Sequence, residues 1–313
     1  MSAAPRVSIV IPTRNAGPQL DSLLDMLDSQ RNGCDLEIIA VDSGSTDGTR
    51  ERLQSRDVRL LERPAADFNH GDTRNLALSC ASGDFAVLLV QDALPASPDW
   101  LQHLLAPFTN ELVAGCFARQ QAWPAASRLT SHYLSRWAAA ASEPRTVGPL
   151  SRAAYDRMTP AERHRACAFD NVCSCVRLSV WQKHPFCRTA IAEDLQWAAQ
   201  VLLNGYCVAY APAAVVWHSH ERSVRYELER TYLVHRRLQE IFGLSTIPTF
   251  SSLLRSIATT LPAHLRIAAG EPGGRRTRAL LRGAGLAMAL PLGQYLGAKA
   301  SREGRDYFRV DGV

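Results

Sequence analysis

The stretch Val41-Asp42-Ser43-Gly44-Ser45-Thr46-Asp47-Gly48-Thr49 constrains the fold more than any other part of the chain. It follows an apolar run, Leu36-Glu37-Ile38-Ile39-Ala40, that reads as a buried parallel strand, and it leads into a helix-forming segment at 49–56. A chain that leaves a buried strand, turns on Gly and small hydroxyl residues and then caps a helix builds one strand–helix unit of an open sheet. Such sheets bind ligands outside the carboxyl ends of their strands. A carboxylate at a strand end can accept from an N–H or O–H of a base or ribose, and glycine lets a ligand approach the backbone.

The first strand repeats the arrangement. Val7-Ser8-Ile9-Val10-Ile11 runs into Pro12-Thr13-Arg14-Asn15-Ala16-Gly17 and a predicted helix at 18–30, so two polar loops lie side by side at adjacent strand tips. Together they resemble family 2 of the inverting glycosyltransferases. That family opens on an apolar strand, then Pro-Thr/Ser/Tyr-Arg/Asn-Asn, then V-D-D/S-G-S-T-D-G-T. The resemblance covers roughly residues 6–220 and rests on five separated motifs. Phe68-Asn69-His70-Gly71-Asp72-Thr73-Arg74-Asn75, Gln91-Asp92-Ala93 and His218-Ser219-His220 are most similar to its rhamnosyltransferase branch. It implies the GT-A fold, a Rossmann-like, mostly parallel α/β sheet with flanking helices, and a nucleotide-sugar donor.

The remaining pattern fits an α/β sheet. Apolar strands are predicted at 58–61, 85–90 and 112–118, with helices at 73–80 and 99–108 between them. Short connections and apolar strands between helices indicate a parallel, doubly wound sheet. From Gln120 the pattern changes: a helix at 127–141, an irregular stretch at 142–165, a strand at 169–176, and a helix at 193–203 stopped by Asn204-Gly205. Strands at 206–210 and 214–217 lead to the histidine pair. We place a glycosyltransferase unit at 1–220, with a nucleotide-binding half at 1–115 and an acceptor-binding half at 116–220, and a helical C-terminal extension at 221–313.

In the extension, arginines fall between apolar residues, and 283–298 has no charged residue. Sixteen residues interrupted by Pro291 and Gln294 are short for a membrane span. Two roles stay open: a basic surface helix on a membrane, or an appendage packed on the sheet or on a second subunit in a homodimer. The net charge of +5 does not require a nucleic-acid partner. Only Lys183 and Lys299 of the 35 basic residues are lysines; the arginines suit anionic diphosphates or an anionic membrane. The start of the chain shows no secretory pattern, so a reducing cytoplasmic compartment with eight free thiols is expected. There the protein would sit peripherally on the inner face of the bacterial cytoplasmic membrane.

Glycosyl transfer must neutralise a diphosphate leaving group, fix the nucleotide and deprotonate an acceptor hydroxyl. The resemblance assigns Pro12, Thr13, Arg14, Asp42, Ser43, His70, Gly71, Arg74, Gln91 and Asp92 to the nucleotide sugar. His70 to Asn75 enters a helix whose N-terminus suits phosphate, and Arg74 can add a bidentate contact. Family members commonly carry Asp-x-Asp at the tip of the 85–90 strand; here the tip reads Val90-Gln91-Asp92, so the first acid is absent, only the second is kept, and Gln91 cannot supply the missing charge. Asp92 and His218 are the expected ligands of a divalent cation, Mn²⁺ or Mg²⁺, with His220 as a weaker candidate. A carboxylate–imidazole shell is more typical of Mn²⁺. Glu193-Asp194, followed by Trp197, matches the catalytic segment, with Asp194 as the base and Glu193 as an orienting residue. First-turn acids are also ordinary helix-dipole partners. Arg119, Gln120, Trp123 and Asn171 are candidates for the acceptor, although Trp123 fits a core equally well.

The expected activity is inverting transfer of L-rhamnose from dTDP-L-rhamnose to a hydroxyl of a surface glycan or lipid-linked acceptor. A UDP-sugar transferase and a degenerate, non-catalytic glycan-binding scaffold are the alternatives. A sugar nucleotidyltransferase would need a Gly-rich basic loop after the first strand, which Pro12-Thr13-Arg14-Asn15 is not.

Overall fold

The structure, a computed structural model, describes residues 5–30 and 34–308. Its strands are β1 (Arg6–Thr13), β2 (Asp35–Asp42), β3 (Arg59–Glu62), β4 (Phe85–Leu89), β5 (Leu94–Pro95), β6 (Val113–Gln121), β7 (Arg145–Val147), β8 (Cys173–Arg177) and β9 (Cys207–Trp217). They form one sheet in the order β3-β2-β1-β4-β8-β6-β9-β5, with β7 on β9. Val7, Ile9, Val10 and Ile11 of β1 are fully buried because helices cover both faces. Gln19–Ser29 packs Leu20, Leu23, Leu24 and Leu27 on one face beside Trp100–Leu105. The helices His70–Ser79, Glu193–Leu203 and Val224–Phe242 close the other.

β1 pairs in parallel with β2 and β4, and β2 with β3, so the first half follows the expected doubly wound order. β8 differs: it runs antiparallel between β4 and β6. Its alternation marks a strand buried on two faces but carries no information on direction. β9 is one strand where two were predicted. Its pairing with β6 jumps from Ala118↔Ala211 to Arg119↔Val215 around Pro212, which has no N–H for the ladder. The predicted helix at 127–141 ends at Leu134, and the stretch read as irregular contains β7 and the short helices Arg152–Arg157 and Pro160–Ala166. Thr159 and Glu162 form a reciprocal cap at the start of the second.

After the sheet come the helices Val224–Phe242, Phe250–Ala269 and Gly273–Glu303. Leu238 and Phe242 join the core cluster beneath β4 and β9, so the first helix is seated on the sheet. The charge-free part of the last helix lies against it. A Cβ on Gly297 would stand 2.2 Å from the Tyr232 carbonyl oxygen, so only glycine permits this approach. Much of the apolar stretch is therefore covered within the chain. Phe250, Leu254, Leu281 and Met288 remain exposed on the two last helices. Among the described residues no helix is long and apolar enough to cross a membrane. All eight cysteines are free.

Candidate active site

The tips of β1 and β2 are knitted into one platform. Thr13 and Asp42 face each other in register, and Thr13 Oγ1 donates to Asp42 Oδ2 at 3.2 Å. Asp42 Oδ1 accepts from the Gly44 and Ser45 amides at 3.1 and 2.9 Å, and the Ser45 hydroxyl also donates to this carboxylate. Asn15, at a positive φ of 48°, accepts from the Thr46 amide at 2.9 Å, while Gly17 N donates to Asp47 at 2.9 Å. Asn tolerates this backbone better than most residues. Asp42, Ser43 and Thr13 are buried and Arg14 is exposed at the rim.

Gln91 is committed to the main chain of Arg14: the Arg14 amide donates to Oε1 at 2.8 Å, and Nε2 donates to the Arg14 carbonyl at 3.0 Å. A carboxylate here could accept the first bond but not donate the second. The glutamine thus ties the β4 tip to the β1 tip, a role different from the expected sugar contact.

Asp92 and the histidines meet because the two residues of β5 pair with the end of β9, Leu94 opposite Trp217. Ligand atoms of Asp92, His218 and His220 all lie within 4.8 Å of one another. His218 Nε2 is 3.6 Å from Asp92 Oδ1 and His220 Nε2 is 3.2 Å from Oδ2. His218 Nδ1 sits 3.1 Å from Gln120 Oε1, an acceptor, which assigns the ring proton to Nδ1 and leaves the Nε2 lone pair toward Asp92. Gln120 is oriented in turn by donating from Nε2 to Asp170 Oδ2 at 2.6 Å. Burial lowers His218 to about 4, so its imidazole is neutral at physiological pH; burial also lowers His220. Two neutral imidazoles and a carboxylate fit a divalent transition ion better than Mg²⁺.

The carboxylates at the start of Glu193–Leu203 are pushed apart. Glu193 Oε1 accepts from Arg74 Nη1 at 2.6 Å and from Asn171 Nδ2 at 3.1 Å. Burial opposes its charge, but Arg74, His70 and Asn171 hold it below the ordinary glutamate range. Asp194 accepts from the Leu195 amide at 2.8 Å and sits near Asn171 N at 3.4 Å. Burial, then the charges of Glu193 and Asp170, raise its carboxyl well above the usual range. Neighbouring acids with opposed shifts are the pattern of a charge holder beside a proton acceptor.

Two expectations are corrected. His70, Gly71 and Arg74 do not form an open phosphate cradle. Asn69 caps the helix through the Asp72 amide, and a Cβ on Gly71 would stand 2.0 Å from the Cys187 carbonyl oxygen, so the 186–189 segment closes over the helix start. Arg74 is 6% exposed and paired with Glu193, 119 residues away. Gln120 and Asn171 are not free to meet an acceptor; both are buried in the networks that hold His218 and Glu193. Arg119 is half-buried. Trp123 does reach the surface. It stacks near Trp217 and lines a cleft of about 320 Å³ with Gln19, Leu23, Gln91, Asp92 and Leu94.

The sequence reading missed Asp170. It accepts from Gln120, from the Val172 amide at 2.9 Å and from Trp137 Nε1 at 3.0 Å, and burial raises its carboxyl. Its only signal was an acid beside Asn171 at a strand start.

Residues 8–158 match the family model of glycosyl transferase family 2. The O-antigen chain rhamnosyltransferase RfbN of Salmonella typhimurium is 30% identical over 232 residues, covering 72% of this chain and 70% of that protein. The O-antigen chain rhamnosyltransferase WbaN of Salmonella anatum is 28% identical, over 73% and 70%. Among solved structures, the mannosyltransferase PcManGT from Pyrobaculum calidifontis, in complex with GDP-Man and Mn²⁺, superposes with a TM-score of 0.62 at 19% identity, over 97% of this chain and 89% of that one. That likeness carries the GT-A fold, and the identity with RfbN over 72% of this chain carries the lineage: this chain belongs to glycosyl transferase family 2.

Proposed function

We propose that the protein transfers L-rhamnose from dTDP-L-rhamnose to a hydroxyl of a growing surface glycan or glycolipid, with inversion at the anomeric carbon. Similarity to two O-antigen rhamnosyltransferases over about 70% of each supports the sugar. The observation that carries the chemistry is the buried pair of Glu193 and Arg74 directly beside Asp194, with Glu193 kept low by Arg74 and the Asp194 carboxyl raised by burial and its acidic neighbours.

In this reading Thr13, Asp42 and Ser43 take the base and ribose, and exposed Arg14 meets the diphosphate. Asp92, His218 and His220 hold a divalent cation. When bound, that ion supplies charge neutralisation for the diphosphate leaving group. Asp194 takes the acceptor's hydroxyl proton as the new C–O bond forms and the bond from the anomeric carbon to the diphosphate oxygen breaks. Trp123 borders the sugar-binding cleft. Residues 1–220 form the transfer unit, and the helical extension rests the enzyme peripherally on the inner membrane face through Phe250, Leu254, Leu281 and Met288, flanked by arginines.

The test is a panel of dTDP-, UDP- and GDP-sugars with Mn²⁺, Mg²⁺ or excess chelator, read by thermal shift, transfer and product NMR. The proposal expects the largest stabilisation with dTDP-L-rhamnose, loss of transfer in chelator and an inverted product. Preference for a UDP-sugar replaces the donor, a retained configuration removes the mechanism, and binding without turnover supports a non-catalytic scaffold.

A further inference from the structure

Trp137 stands out among the large hydrophobic residues left at the surface: it is 46% exposed yet rigidly held. Its amide donates to the Leu134 carbonyl at 2.9 Å and its carbonyl accepts from Ala140 N at 3.0 Å. Its indole Nε1 donates to Asp170 Oδ2 at 3.0 Å. The same Asp170 oxygen receives Gln120, which orients His218, and the Asp170 charge is felt by Asp194. The ring is thus fixed to the carboxylate cluster while much of it stays open. Arg230 lies over one face of the ring, its guanidinium carbon 5.9 Å from the centroid.

Leaving a large indole in water forgoes a sizeable hydrophobic gain. A surface ring fixed by its own polar edge loses little conformational freedom when a ligand lands on it. The face turned away from Arg230 is apolar and electron-rich, which suits the C–H bonds on one side of a pyranose, and Arg230 can donate to hydroxyls that reach past the ring. We propose that Trp137 is the platform on which a pyranose ring of the acceptor glycan stacks, with Arg230 beside it. The inference rests on the glycosyl-transfer reading above and adds the chemistry of its acceptor side.

Two measurements test it. Full-length protein carrying ¹⁵N-indole tryptophan is titrated with methyl glycosides of glucose, galactose, mannose and rhamnose, the Trp137 signal being identified by its loss in Trp137→Phe. The proposal expects a saturable shift of that signal with at least one glycoside; no shift with any overturns it. In transfer assays, Trp137→Ala should raise the acceptor KM roughly 3- to 10-fold, the worth of an aromatic contact. Any change in donor KM or slow donor hydrolysis should be shared by Trp137→Phe, which loses the same N–H bond to Asp170, whereas Trp137→Phe, keeping the ring face, should recover most of the acceptor KM. Equal losses in both variants would mean that the indole serves only to hold Asp170, and the platform is wrong. If wild-type protein neither binds nor turns over any nucleotide sugar, the glycosyl-transfer reading fails, and the glycoside titration still decides whether Trp137 binds sugar.

Discussion

At the tips of β1 and β2, each loop acid is answered by nearby donors. Asp42 takes two backbone amides and two hydroxyls from its own loop and the neighbouring one. Asp47 takes Thr49 and Gly17, and the Thr49 hydroxyl above all keeps its carboxyl low. Around Asp170, Glu193 and Asp194 the opposite holds: three acids from two segments are gathered with Arg74 as the cation paired to one of them, and two are pushed up by burial. In the first region the acids are satisfied, and the buried Ser43 hydroxyl, without a hydrogen-bond partner, is left for a ligand. The second keeps an acid whose ionisation is unfavourable, as proton transfer near neutral pH requires.

Removing Arg74 should give the largest change in stability, because Glu193 is then left buried and unpaired. Arg74→Met is expected to cost about 3–5 kcal/mol in denaturant unfolding; a loss below 1 kcal/mol would mean that the second region is no more strained than the first. A smaller effect is expected at the scaffold. Asp42→Ala should weaken nucleoside diphosphate binding by roughly 1–3 kcal/mol in calorimetry, the cost of unpaired buried donors. Unchanged affinity would remove Asp42 from the binding platform. The smallest effect belongs to Gln91→Asp, which puts a second acid beside Asp92 but breaks the bond to the Arg14 carbonyl. Stability should fall by about 1 kcal/mol without tighter Mn²⁺ binding; a tenfold gain in Mn²⁺ affinity at unchanged stability would show that the clamp is dispensable.

The same contrast explains what was legible in the sequence. The β1 and β2 tips are local, so the motifs of residues 12–17 and 41–49 carried the strand–loop–helix fold of the platform. The helix Glu193–Leu203 matches its predicted bounds because acids open it and Asn204-Gly205 stops it. Asp92 and His218 could be paired by family resemblance, but their meeting depends on the two-residue strand β5, too short to leave a periodic signal. The Arg74–Glu193 pair, the Gln120–Asp170 link and the direction of β8 are long-range, and side-chain alternation encodes neither partner nor direction. The charge-free stretch at 283–298 likewise reads as a surface seeking a cover; Gly297 against the Tyr232 carbonyl supplies part of that cover from within.

The central claim is that Asp194, not Glu193, carries the proton. Asp194 has a folded-state pKa above its unfolded one, so it favours the fold at low pH and opposes it as pH rises through the raised value. Asp194→Asn should therefore raise Tm at pH 7–8 and lose that advantage near pH 4. The direct measurement is turnover against pH for Asp194→Asn and Glu193→Gln beside the wild type, with donor affinity in parallel. The account predicts a fall of about 10²–10⁴-fold in Asp194→Asn with unchanged donor affinity, and an acid limb that survives in Glu193→Gln. Near-normal turnover in Asp194→Asn, with that fall and loss of the acid limb in Glu193→Gln, would contradict it.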